Sequence, residues 1–166
     1  MDLIMSRKSI RIYSSQPVAD EVIKDLLKAA MSAPSAGNQQ PWHFIVISDR
    51  EILDAIPNFH PYSYMLGGAK VTILVCGDER LEIIKGYWVQ DCSAATQNIL
   101  IEAHAKGLGA VWLGIYPIKE RIEGFRKLLN LPEQVVPLSL IPIGYPEEQV
   151  EVADQYKEDR VHYNRW

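Results

Sequence analysis

A single layered domain spanning residues 1–166, in which helices and strands alternate, is the fold class this sequence predicts, and three observations carry it. The chain has 166 residues with 48% apolar content, a length that suits one domain able to bury roughly 70% of the surface its unfolded form exposes. Apolar residues recur at helical spacing in some segments and as short continuous or β-branched runs in others. The two kinds of segment alternate, with no internal repeat and no low-complexity stretch. On residue pattern alone, such alternation reads as parallel βαβ units.

Each element follows from its residues. From Ala19 to Ser32, ADEVIKDLLKAAMS places Ile23, Leu26, Leu27, Ala30 and Met31 on one helical face. Asp20 and Glu21 suit the positive end of the helix dipole, and Pro34 closes the segment. His43–Ile47 is β-branched and aromatic and predicts a strand; Asp49–Ile56 predicts a short helix. Val71–Cys76 is a continuous apolar run ending at Gly77-Asp78, the pattern of a strand buried on both faces. Tyr87–Ala105 predicts a long helix stopped by Gly107, with Cys92, Ala95, Ile99 and Ala103 near helical spacing. Gly109–Gly114 then predicts a strand, Ile118–Leu129 a helix, and Leu138–Ile143 a strand bounded by Pro137 and Pro146. Glu147–Arg160, with six acids against Lys157 and Arg160, reads as a solvated connection. The tail His162–Trp166 is aromatic again, which predicts docking against this subunit's body or a partner's.

Composition removes several function classes. Lys plus Arg is 17 against 21 for Asp plus Glu, a net charge of −4, and general nucleic-acid binding needs a surplus of cations instead. The longest apolar stretches fall far short of the ~20 residues a membrane-spanning helix needs. The N-terminal segment has no apolar core of a signal peptide, so the chain reads as a cytoplasmic protein. Cys76 and Cys92 form no Cys-x-x-Cys pair and read as buried apolar residues. His43, His60, His104 and His162 are scattered, so no metal site is expected. No Gly-x-Ser-x-Gly elbow marks a nucleophile. The glycine-rich run Gly107–Gly114 follows a helix and opens a strand, the reverse of the order a dinucleotide fingerprint requires.

Two segments stand out chemically. Arg7-Lys8-Ser9-Ile10-Arg11 gathers three cations and a hydroxyl within five residues of an acidic chain, and such groups suit phosphate oxygens. Composition alone also allows a solvated basic end of a first short helix. Pro34–Trp42 (PSAGNQQPW) is a polar loop with a hydroxyl and several amides between a helix and a strand. It reads as a donor-presenting loop or as an ordinary turn.

With these segments the chain resembles the nitroreductase family of FMN-dependent NAD(P)H oxidoreductases. The resemblance rests on four motifs: the opening Arg7–Tyr13, the loop Pro34–Trp42, the Gly-Leu-Gly-x-x-Trp-Leu-Gly run Gly107–Gly114 and the closing Val161–Trp166. It implies an α+β fold in place of the parallel one: a mixed, mainly antiparallel sheet of four or five strands flanked by helices, in an intertwined homodimer with FMN at the interface. It also implies that Arg7, Lys8 and Ser9 meet the FMN phosphate and ribityl chain. Arg11 then lies by the N1 and C2-carbonyl edge, where it stabilises the charge that builds on reduction. Pro34, Ser35, Ala36 and Asn38 approach the flavin bound mainly by the other subunit. Leu113 and Gly114 run beside its reactive centre, with a peptide N–H near N5. Arg160 returns to the phosphate, with Lys157 the second choice. Gly109 and Gly114 are expected to let backbone approach a flat ring closely.

No protein acid or base is implied as catalytic; Asp91, in the first turn of the long helix, reads as a cap or interface residue. NAD(P)H is the implied hydride donor and a small oxidised molecule such as a nitroaromatic or quinone the acceptor, in ping-pong order. Larger family members set an Asn and a Lys against the pyrimidine edge; Pro57–Ala69 has no such pair, but offers Tyr62 and Tyr64 as candidate substrate-facing groups. Two other readings remain open on sequence: a flavin-binding sensor or carrier without turnover, and a dimeric scaffold whose basic N-terminus binds an acidic partner.

Overall fold

The computed structural model describes residues 2–166. It holds five α-helices, α1 (Leu3–Ser6), α2 (Asp20–Met31), α3 (Arg50–Ala55), α4 (Trp88–Ala105) and α5 (Lys119–Leu129), and five strands, β1 (Trp42–Ile47), β2 (Val71–Asp78), β3 (Gly109–Ala110), β4 (Leu113–Gly114) and β5 (Val135–Gly144). The strands form one sheet in the order β1-β2-β5-β3, with β4 also beside β5. Every ladder is antiparallel. The parallel expectation from alternation is thereby corrected and the α+β one upheld. Among the described residues, the one parallel contact is the isolated bridge between Ser9 and Ala110.

The buried runs behave as their composition requires. In β2, Val71, Ile73 and Val75 pack on the α2 and α4 side, while Leu74 and Cys76 pack with Leu53, Ile56 and Phe125 on the other. Helices therefore cover both faces of the two central strands. The face of α4 that meets the sheet is built of Cys92, Ala95, Ile99 and Ala103, all without solvent exposure. Past the end of α4, Gly107 takes φ +73°, the left-handed geometry expected of its stop signal. Burial pushes the Cys76 thiol up to about 12, so both cysteines are inert core residues, as read.

Two strand boundaries differ from expectation. β5 begins at Val135 rather than Leu138 and runs through Pro137, where its register with β2 shifts between Val75 and Cys76. A bulge there accommodates a residue that cannot donate to a ladder. The expected strand Gly109–Gly114 is two pieces in one register on β5, Gly109 opposite Gly144 and Leu113 opposite Leu140. Continuing that register sets Pro142, which has no N–H, across from Val111, in the gap between the pieces.

Candidate functional site

The segment bearing the first cations is pinned to the outer edge of the sheet. The Ile10 N–H donates to the Ala110 carbonyl at 3.0 Å. A Cβ on Gly109 would lie 2.5 Å from Ile10 Cγ2, closer than carbon atoms approach. Gly109 thus admits Ile10 rather than a ligand ring, which corrects the expectation for that glycine. The Tyr13 hydroxyl, buried, donates to the Ile10 carbonyl at 2.6 Å, and burial raises its pKa well above the usual phenol value. Glu148 Oε1 accepts from the Arg11 and Ile12 N–H groups. Arg7 ends α1, its N–H donating to the Leu3 carbonyl. A fixed backbone therefore carries Arg7, Lys8, Ser9 and Arg11 along one wall of a cleft of about 520 Å³, with Val150–Ala153 and Tyr156 opposite. That volume lies in the range of roughly 300–1,000 Å³ typical of cofactor and ligand sites.

Arg11 also lines a second cleft, of about 320 Å³, containing Leu113, Gly114, His60, Tyr62, Tyr64 and Arg121. The two predicted groups, cations and β4 backbone, thus meet through Arg11. A Cβ on Gly114 would touch nothing within 4 Å, so the backbone there is open to close approach. Its carbonyl is held from two sides, accepting from Arg121 Nη1 at 2.6 Å and from His60 Nε2 at 3.0 Å. A carbonyl only accepts, so this contact assigns the proton to Nε2. Pattern reading passed over His60 and Arg121, because neither belongs to a local motif; the tertiary fold alone joins them to Gly114.

His60 has no solvent exposure, and desolvation, aided by the Arg121 charge, lowers its pKa below 6.5. The unfolded chain therefore binds a proton below pH 6.5 that the folded one resists. This stabilisation is complete above that pH and is lost as pH falls towards the lowered value. The unfolding midpoint is expected to drop between pH 7 and 5 more steeply in the native chain than in H60Q, compared by thermal scans in one buffer series.

The loop Pro34–Trp42 lies elsewhere, lining neither cleft. Asp91, 4% exposed, accepts from the Ala36 N–H at 2.9 Å and from Gln39 Nε2 at 2.7 Å. Gln39 Oε1 in turn accepts from the N–H groups of Ile83 and Ile84 at 2.8 and 2.9 Å. Asp91 thus caps the loop rather than its own helix. Three residues of the loop, Gly37, Asn38 and Gln40, have positive φ of 56°, 55° and 47°. For Asn38 and Gln40 this is sparsely populated backbone that persists where surrounding contacts enforce it, here the Asp91–Gln39 bridge and a Gln40 N–H bond to Ser35 Oγ at 3.0 Å. Ser35 and Ala36 are half-buried, while Pro34 and Asn38 are exposed.

Within one chain the predicted set therefore divides in two, with Arg7, Lys8, Ser9, Arg11, Leu113 and Gly114 together and Pro34, Ser35, Ala36 and Asn38 apart. Arg160 stands on the exposed stretch 151–166 and lines neither cleft. The aromatic tail does not dock on its own subunit: Tyr163 is 83% and Trp166 102% exposed.

Comparison with known proteins agrees with this geometry. The nitroreductase family model matches residues 4–60 and 58–145. A protein of Methanothermobacter thermautotrophicus, provisionally named an NADH dehydrogenase/NAD(P)H nitroreductase, is 51% identical over all of this chain and 87% of its own length. The crystal structure of a protein given the same provisional name, from Parabacteroides distasonis, superposes with TM-score 0.96 at 42% identity, covering 99% of this chain and 97% of that one. A provisionally named nitroreductase from Desulfovibrio desulfuricans, solved in complex with FMN, superposes with TM-score 0.85 at 32% identity over 99% and 95% of the two chains. The chain belongs to the nitroreductase family and is an oxidoreductase of that class.

Proposed function

We propose that this protein binds FMN and uses it to carry reducing equivalents from NAD(P)H to a small oxidised acceptor such as a nitroaromatic or quinone. The single observation that supports this most is the shared position of Arg11, which joins the cationic cleft to the open Gly114 backbone. The donor set suits the cofactor. Arg7, Lys8 and Ser9 supply two cations and a hydroxyl for a phosphate and a polyol, and Arg11 would stabilise negative charge at the pyrimidine edge. When bound, FMN would supply the hydride chemistry itself, taking hydride from NAD(P)H and passing it to the acceptor after the nicotinamide leaves. The chain's residues then bind, orient and expose it. Gly114, its carbonyl clamped by His60 and Arg121, offers a rigid edge without a side chain.

Two copies complete the site in this proposal. The loop Pro34–Asn38 and the exposed tail with Arg160 are free to reach a partner, and the tail's uncovered Tyr163 and Trp166 suit a crossing segment. Purified protein is expected to be yellow and dimeric and to bleach on adding NADH or NADPH without oxygen. Colour without bleaching would favour the carrier reading, and a flavin-loaded monomer on size exclusion would refute the shared site.

A further inference from the structure

We propose that the cleft beside Gly114 selects planar aromatic ligands that carry an acid group on or next to the ring, with Arg121 as the residue that reads the acid. The inference rests on the oxidoreductase reading above and names the acceptor class for that site. Its first basis is charge. The cleft presents the guanidinium groups of Arg11 and Arg121, and none of its lining residues is a carboxylate, although acids outnumber bases in the chain as a whole. Arg50, Arg80 and Arg126 are each paired with a carboxylate. No such partner for Arg121 lies within 4.0 Å among the described residues. It spends one donor on the Gly114 carbonyl at 2.6 Å, and the remaining N–H groups of the fork are available for an anion.

The second basis is shape and surface. Tyr62 and Tyr64 are 66% and 70% exposed at the cleft, and Arg121 Cζ lies 5.4 Å from the centre of the Tyr62 ring. Stacking on that ring holds the guanidinium plane in place and sets an aromatic face beside a cation. A flat ring with an acid group matches both features at once. Because Arg121 is one hydrogen bond from Gly114, the acid must sit close to the ring. The phosphates of a nicotinamide dinucleotide are farther from its reacting ring and suit this position less.

The test uses flavin-loaded protein without reductant, titrated with 4-nitrobenzoate and its near-isosteric neutral counterpart 4-nitrobenzamide. Binding is read by the change in flavin absorbance and, independently of flavin, by calorimetry. The native protein is expected to bind the benzoate about tenfold more tightly, the size of one charge-assisted contact at a half-exposed site. R121Q is expected to lose that preference with amide affinity unchanged, and R121K to regain part of it. Equal affinities in the native protein would overturn the proposal, as would a preference that survives R121Q. Loss of both ligands in R121Q and R121K alike would assign Arg121 only to holding Gly114. A rise in the NADH dissociation constant as the sole effect of R121Q would assign it to the dinucleotide. Colourless protein that takes up no FMN, yet discriminates the two ligands by calorimetry, would refute the flavin reading and leave this inference standing.

Discussion

R7A is expected to weaken FMN binding roughly ten- to a hundredfold while leaving the fold intact, the loss carried by one hydrogen-bonded charge on a phosphate. The two effects separate because of where Arg7 sits. Its backbone ends α1 through an N–H bond that alanine keeps, and its guanidinium takes part in none of the ion pairs among the described residues. The stability cost should therefore stay within about 0.5 kcal/mol, as for other surface substitutions. FMN fluorescence quenching on titrating stripped protein gives the affinity, and thermal unfolding of that stripped protein gives the control. The affinity of R7A should also fall less steeply with salt than that of the native chain, one phosphate contact having gone. Unchanged FMN binding in R7A would instead favour the scaffold reading, in which these cations serve an acidic partner.

How much of this was legible beforehand depends on whether a feature is local. The face of α2 that carries Ile23, Leu26 and Ala30 could be read from spacing because a helix exposes its period directly. The stop at Gly107 was legible for the same reason. Strand direction was not. A run such as Val71–Cys76 is apolar throughout because helices cover both faces of the sheet, and that covering is independent of whether its neighbours run parallel or antiparallel. Resemblance, not pattern, supplied the antiparallel answer. The site divides in the same way. Arg7–Arg11 announce themselves as cations in an acidic chain, and Gly114 as an open backbone position in a glycine-rich run. His60 and Arg121 reach the Gly114 carbonyl from 54 and 7 residues away, contacts that no local window shows. Asp91 was legible as the residue of a helix start, but its partners Ala36 and Gln39 lie more than 50 residues earlier, so its role emerged only with the fold.

Asp91 gives the second large effect. In D91A the Ala36 N–H and Gln39 Nε2 lose their acceptor in a site almost closed to water, at a cost of about 2–3 kcal/mol. Unfolding should then begin roughly 5–10 °C lower for a chain of this length. D91N should be the milder variant. Its carbonyl can still accept one of the two donors, while its amide group opposes the other, and Gln39 cannot turn its own carbonyl towards it without abandoning Ile83 and Ile84. Both variants loosen the loop that bears Pro34, Ser35, Ala36 and Asn38 while leaving the Arg7–Arg11 wall untouched, so they also test how the cofactor site is divided between subunits. If each FMN is held by the cations of one chain and the loop of the other, a mixed dimer of R7A and D91N carries one doubly damaged site and one with neither lesion. Mixing two weak binders should then restore tight binding at one of the two sites, read as a biphasic FMN titration after subunit exchange. Sites confined to single chains would each keep one lesion, and the mixture would bind no better than its parents.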